Sequence, residues 1–152
     1  MTEEVKDFLG SVERAKFAYY RCLRQAEELE EQCTSLSSPL SSEGHGTADV
    51  HKDNLLIALA DKTALLPKLY EKWMAVEKEV EAFLDGVKDD RYHAILKLRY
   101  VDQLRWPKVM EELKKLGPKH YYEERHIYNL HGEALNAARE LWNRRKGEPY
   151  EL

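Results

Sequence analysis

Apolar residues recur along residues 5–36 at alternating intervals of three and four positions. On an α-helix this spacing places all of them along one side, whereas a half-buried β-strand would need an interval of two. We call these residues the first apolar stripe. Its members are Val5, Phe8, Val12, Ala15, Tyr19, Cys22, Ala26, Leu29, Cys33 and Leu36. The pattern predicts one long amphipathic helix.

A second apolar stripe follows after an interruption. Residues 37–51 concentrate Ser, Gly and Pro, which predicts a loop. The second stripe consists of Leu55, Leu59, Leu66, Leu69, Trp73, Val76, Val80, Phe83 and Val87. Two stripes joined by a loop predict an antiparallel, coiled-coil-like helical hairpin over residues 1–86. Because each helix buries only one stripe, we expect the hairpin to form a homo-oligomer, with a dimer favoured. The alternative is that it folds back on the C-terminal helices as one bundle.

Start and stop signals divide residues 87–147 into three further helices. The first ends before the pair Trp106-Pro107, which begins a short helix, because Pro is tolerated at the first helical position. The pair Gly117-Pro118 then ends this short helix. Three helices with a short one in the middle are typical of a helix-turn-helix (HTH) unit. The chain is therefore expected to be all-α, with a tail at residues 148–152.

The last helix of this unit is long and begins near Glu123. In an HTH unit the first residues of the second HTH helix meet base edges in the major groove of double-stranded DNA. Arg can bond guanine, and Asn adenine, through two hydrogen bonds. The residues expected to contact DNA are Arg125, His126, Tyr128, Asn129, Lys119, His120, Arg105 and Lys108. For each of them the alternative is ordinary surface charge.

Charge is divided unevenly along the chain. Residues 1–85 carry 10 Lys and Arg against 17 Asp and Glu, whereas residues 86–152 carry 14 against 11. A mildly basic end beside an acidic one suits a protein that touches phosphate with one end only.

Other functional classes have little support in the sequence. We find no Gly-rich phosphate loop, no HExxH motif and no nucleophile elbow, and the six His are scattered. We therefore expect neither an enzyme nor a bound cofactor or metal. Cys22 and Cys33 lie on one predicted helix, roughly 16 Å apart, which is too far for a disulfide. The sequence has no long apolar run and no signal peptide, so we expect no membrane span and a cytoplasmic location.

The string LRYVDQLRWPKVMEELKKLG, followed by EERHIYNLHGEAL, resembles region 4 of bacterial sigma factors. It is more similar still to phage and prophage late-gene regulators of the ArpU/RinA type. The resemblance covers about residues 91–142, and the N-terminal helices match only in general character. In that family a Trp begins the first HTH helix, as Trp106 does here. The pairs that match the recognition helix are Glu124-Arg125, Ile127-Tyr128 and His131-Gly132.

Two departures from the family pattern concern the start of the recognition helix. Glu123 stands where the family has a Ser, and residues 118–121 lengthen the turn before it. Glu123 and Glu124 suit the helix dipole but repel phosphate.

The resemblance implies a phage-type DNA-binding transcriptional regulator in a bacterial host, acting as a dimer or together with RNA polymerase. The alternative is a DNA-packaging adaptor similar to a small terminase subunit, which also joins an HTH unit to oligomerising helices. A third possibility is a protein–protein module whose HTH unit no longer binds DNA.

Overall fold

A computed structural model describes residues 2–36, 45–116 and 124–147. Every regular element in these ranges is helical, so the predicted all-α class is confirmed for the part of the chain described. The helices are α1 (Thr2–Leu9), α2 (Ser11–Leu36), α3 (His45–Leu84), α4 (Asp90–Leu96) with a π-helical turn (Lys97–Val101), α5 (Trp106–Leu116) and α6 (Glu124–Gly147).

The helix predicted for residues 5–36 is divided at Gly10. Hydrogen bonding nevertheless continues across the division, because the Gly10 N–H donates to the Lys6 carbonyl at 2.8 Å and the Arg14 N–H donates to the Gly10 carbonyl at 3.2 Å. The Ser11 hydroxyl also donates to the Phe8 carbonyl, a side-chain bond that competes with the helical ladder. The helix is therefore interrupted at Gly10, but helical hydrogen bonds continue on both sides of it.

The first apolar stripe is buried as its spacing predicts. Phe8, Tyr19 and Leu29 are half-buried. Its buried members are Val5, Val12, Ala15, Cys22, Ala26 and Cys33. Both cysteines are free thiols. Leu9, which the three-and-four spacing leaves out, is also fully buried.

The third helix begins earlier than the sequence predicts. α3 begins at His45, so residues 45–51 of the expected loop are helical, and residues 37–44 lie outside the described residues. Gly46 falls in the first turn of α3, where backbone N–H groups have no partner within the helix. α3 passes through Pro67 and ends at Leu84.

The chain divides into two compact units by its internal contacts. Unit 1 contains residues 1–14 and 75–152, and unit 2 contains residues 15–74. This division differs from the one expected at residue 86, because α1 packs against α6 and belongs with the C-terminal helices.

The core of unit 1 joins α1 and α4 to α6. Phe8 lies with its ring centroid 5.2 Å from that of Phe83 and 5.0 Å from that of Trp142. Beside this cluster, Glu4 accepts hydrogen bonds from the Lys146 ammonium and from the Trp142 indole N–H. These two bonds lower the pKa of Glu4. α1 is thereby fastened to the second half of α6 by both apolar and polar contacts.

A side-chain cap begins α4. The carboxylate of Asp89 accepts hydrogen bonds from the backbone N–H groups of Arg91 (2.9 Å) and Tyr92 (3.4 Å). A cap of this kind supplies acceptors for N–H groups at the helix start that have no partner within the helix. One turn further on, α4 presents the fully buried Ile95 and Leu96.

Unit 2 contains the remainder of α2 and the first part of α3. Tyr19 packs against Tyr70 and Trp73, with ring centroids 5.8 Å apart in both pairs. The Cys22 thiol donates a hydrogen bond to the Lys62 carbonyl, with the sulfur 3.4 Å from the oxygen. Later positions on α2 therefore meet earlier positions on α3, which is the order expected of antiparallel helices.

Replacing Ile95 by Ala is expected to lower the free energy of unfolding by about 2–5 kcal/mol, because the missing side-chain atoms leave a cavity that the neighbouring helices fill only in part. Urea denaturation followed by far-UV circular dichroism measures the change. The control is Lys97→Ala, at an exposed position two residues further along the chain. The control should change the free energy by less than about 0.5 kcal/mol. Equal losses for the two variants would contradict a core role for Ile95.

Candidate nucleic-acid interface

The first turns of α6 have one buried and one exposed side. Ile127 is 1% exposed and Leu130 is 6% exposed, so this side faces the core of unit 1. The neighbouring positions on these turns are exposed, and their side chains project to solvent. They are Arg125, His126, Tyr128 and Asn129. The structure therefore brings these four predicted site residues together on one accessible surface, which we call the α6 face.

Packing of α5 against α6 supports this surface. The Trp106 ring lies edge-to-face on Tyr128 with centroids 5.6 Å apart, and on His131 with centroids 4.8 Å apart. The Arg99 guanidinium stacks 4.7 Å above the Trp106 ring and donates to the Leu104 carbonyl at 3.0 Å. The first residue of α5 is thus held between the π-helical turn and α6.

Two predicted site residues flank the start of α5. Arg105 is exposed. Lys108 is exposed too, but its ammonium pairs with the carboxylates of Glu111 at 3.3 Å and Glu112 at 3.7 Å. The hydrogen bond to Glu111 is the main cause that raises the pKa of Lys108. Exposed pairs of this kind are weak, so a phosphate could compete for the ammonium.

The remaining predicted site residues are not described. Lys119 and His120, together with Glu123, lie outside the described residues. Glu124 is the first residue of α6, and its backbone alone is described.

A shallow groove of about 480 Å³ lies beside the α6 face. Arg99 and Arg105 supply two positive charges to its wall, and Trp106 and Tyr128 supply aromatic surface. Pro107 and Met110 complete the lining. Cationic and aromatic groups in one groove are suited to contact with phosphate, sugar or the faces of bases.

A second group of polar residues, which the sequence analysis did not place in a site, lies on the inner side of α6. The Tyr100 hydroxyl and the His131 Nε2 are 2.8 Å apart in a hydrogen bond, and their rings stack with centroids 5.8 Å apart. Burial lowers the pKa of His131 to about 4, and the positive charges of Arg99 and Lys6 act in the same direction. Burial also raises the pKa of Tyr100. At neutral pH both groups are therefore uncharged.

The π-helical turn explains why sequence reasoning missed this group. It places Arg99 and Tyr100 on the side of the chain that meets Trp106 and His131. π-helical turns are rare and have no recognised sequence pattern, so the spacing of residues 97–101 does not indicate which side each side chain takes. The resemblance picks out His131 and Gly132 as a matching pair, but it does not imply that His131 is buried.

No family model, curated protein or solved structure matches this chain. Within residues 2–36, 45–116 and 124–147, no helix is both long and apolar enough to cross a bilayer. The same residues contain no cluster of three His, Cys, Asp or Glu that could hold a metal ion.

The ring proton signals of His131 are expected to titrate with a midpoint near pH 4. An unperturbed His titrates near pH 6.5. Because the pKa is lower in the folded chain, the unfolded chain binds more protons between these values, and the folded state loses stability as the pH falls from about 6.5 towards 4. NMR titration of the full chain measures the midpoint, and His131→Gln identifies the signal by its loss. A midpoint near 6.5 would contradict the burial of this ring.

Proposed function

We propose that this chain is a phage-type DNA-binding transcriptional regulator with a sigma region 4-like HTH unit, acting as a dimer or together with RNA polymerase. The observation that carries the proposal is the α6 face. Arg125 and Asn129 project to solvent on the first turns of a long helix, while Ile127 and Leu130 hold the opposite side in the core.

Direct reading of bases suits the spacing of these side chains. Arg125 and Asn129 are four positions apart, so on a helix they are neighbours on one side. An Arg prefers the two acceptors of guanine, and an Asn prefers the donor and acceptor of adenine. His126 and Tyr128 flank this pair. Together the four residues form a surface that could enter a major groove.

Phosphate contacts would come from the surroundings of the α6 face. Arg105 is exposed beside the start of α5, and Lys108 follows one turn later. Lys119 and His120 are proposed from sequence alone. A single HTH unit with a few phosphate contacts reaches only about 10⁻⁴ to 10⁻⁶ M in non-specific binding. Specific binding would therefore need a second copy on a second half-site, or RNA polymerase as a partner.

Self-association has support in the surface of unit 2. Val50 and Ile57 are seven positions apart on α3, and they are 60% and 61% exposed. Residues at this interval share one side of a helix. Further large apolar or aromatic side chains exposed in unit 2 are Phe17, Tyr20, Leu56, Leu65 and Tyr70. Exposed apolar side chains that share one side of a helix are suited to a protein–protein contact, and a second copy of the chain is the partner we propose.

The double variant Arg125→Ala/Asn129→Ala is expected to lose specific DNA binding. The DNA is the duplex that the full chain selects from random sequences. Each bidentate contact to a base contributes about 1–3 kcal/mol of discrimination, so the variant should lose about 2–6 kcal/mol of binding free energy for this duplex. Fluorescence anisotropy at several salt concentrations measures it. The matched control is Asn143→Ala/Arg144→Ala, the same exposed residue types near the other end of α6. Unchanged specific binding by the first variant, with circular dichroism showing equal helicity, would contradict the proposal.

The double variant Val50→Asp/Ile57→Asp should convert the proposed dimer to a monomer, because four carboxylates would face one another across the contact. Sedimentation velocity of the full chain measures the state of association. Leu116→Asp is the control, since Leu116 is 71% exposed on α5 in unit 1. A wild-type chain that is already monomeric would refute self-association through unit 2. A ring of many copies would instead favour the DNA-packaging adaptor.

A further inference from the structure

Unit 1 contains a second, smaller cavity of about 210 Å³. It lies between residues 9–13, the π-helical turn, the start of α5 and the middle of α6. Leu9 and Trp106 supply apolar walls, and Glu13 and Arg99 supply opposite charges. None of the four exposed residues of the α6 face lines it, although Arg99 and Trp106 line both this cavity and the groove.

Three unusual features of the backbone and side chains meet at this cavity. Gln103 adopts a φ of 57°, a left-handed conformation that is uncommon for a residue other than Gly. Its amide nitrogen is buried without a hydrogen-bond partner within the described residues. The adjoining turn is π-helical. Each feature costs free energy in the folded chain, and such features concentrate at ligand sites. The amide nitrogen of Gln103 can therefore donate a hydrogen bond to an acceptor that enters the cavity.

The charged groups of the cavity also lack ion-pair partners among the described residues. Within the described part of the chain, neither Arg99 nor Glu13 forms an ion pair. Arg99 uses one N–H group on the Leu104 carbonyl. A guanidinium has five N–H donors, so four remain for another acceptor. Burial is the main cause that lowers the pKa of the adjoining His131, and the positive charges of Arg99 and Lys6 act in the same direction.

Size limits the ligand that the cavity could take. An apolar cavity of about 150 Å³ holds a benzene molecule. A space of about 210 Å³ therefore accepts a molecule slightly larger than benzene, and it is too small for a nucleotide. A compact ligand that carries both signs of charge and has an apolar part would match this volume and lining.

We propose that this cavity binds a free α-amino acid with a short apolar side chain. The carboxylate accepts hydrogen bonds from the Arg99 guanidinium and the Gln103 amide. The ammonium group is paired with the Glu13 carboxylate, and the apolar side chain packs against Leu9 and Trp106. This site does not depend on the proposed DNA-binding function, because its residues and its test involve no nucleic acid.

L-leucine is the probe for the first experiment, titrated into the isotope-labelled full chain at neutral pH. We expect saturable shifts of the Trp106 indole and His131 ring signals, because both rings line the cavity. The analogues 4-methylpentanoate and 3-methylbutylamine each lack one charged group. Each should bind at least about tenfold more weakly than leucine, since each loses a charge-assisted contact.

Variants assign the contacts to particular residues. Glu13→Gln and Gln103→Leu should each weaken leucine binding about tenfold. Arg144→Met is the matched control, because Arg144 is exposed near the end of α6 and lines neither this cavity nor the groove. Arg99→Met should abolish leucine binding. If the Arg99→Met variant does not fold, the Glu13→Gln variant tests the proposal instead, because Glu13 is exposed and its replacement by Gln keeps the size of the side chain.

Three results would overturn the proposal. The first is the absence of shifts at Trp106 and His131 with leucine and with every other proteinogenic amino acid. The second is equal binding of leucine and 4-methylpentanoate, which would show a simple anion site. The third is unchanged leucine affinity in both the Glu13→Gln and the Gln103→Leu variants.

Discussion

Burial of one side of α6 is the constraint on which the rest of unit 1 depends. Ile127 and Leu130 begin this buried side, and Ala134 and Ala138 continue it along the helix. α4 and α1 pack against α6. Because a helix has a fixed periodicity, burying this side forces Arg125 and Asn129 to project outward. Any function of the α6 face depends on this outward orientation of Arg125 and Asn129.

Trp106 connects the outer and inner sides of the same helix. Its ring touches Tyr128, which belongs to the α6 face, and His131, which lines the smaller cavity. Arg99 stacks on the same ring and borders both the groove and the cavity. A molecule that moved Trp106 would therefore act on both surfaces. The π-helical turn and the left-handed Gln103 are local distortions beside this arrangement.

Much of the helical architecture could be predicted from the spacing of apolar residues and from helix signals. The short helix begins at Trp106 as predicted, and α6 begins at Glu124, one residue after the predicted start. Four of the predicted site residues lie together on the α6 face. The division at Gly10, the helical start at His45 and the membership of α1 in unit 1 were not predicted. The membership of α1 in unit 1 depends on its contacts with α6, which local spacing does not report, whereas the division at Gly10 coincides with the local bond from Ser11 to the Phe8 carbonyl.

The sequence by itself determined that this chain is helical and which side of each long helix is apolar, because periodicity and burial are linked through the geometry of the helix. Only the tertiary structure decided what covers those sides. α1 reaches α6 through Phe8 and Glu4, more than a hundred residues away along the chain. Likewise, the pairing of Tyr100 with His131 and the orphaned amide of Gln103 arise only when separate helices meet. The depressed pKa of His131 has the same origin, because burial by several helices, together with nearby charge, produces it.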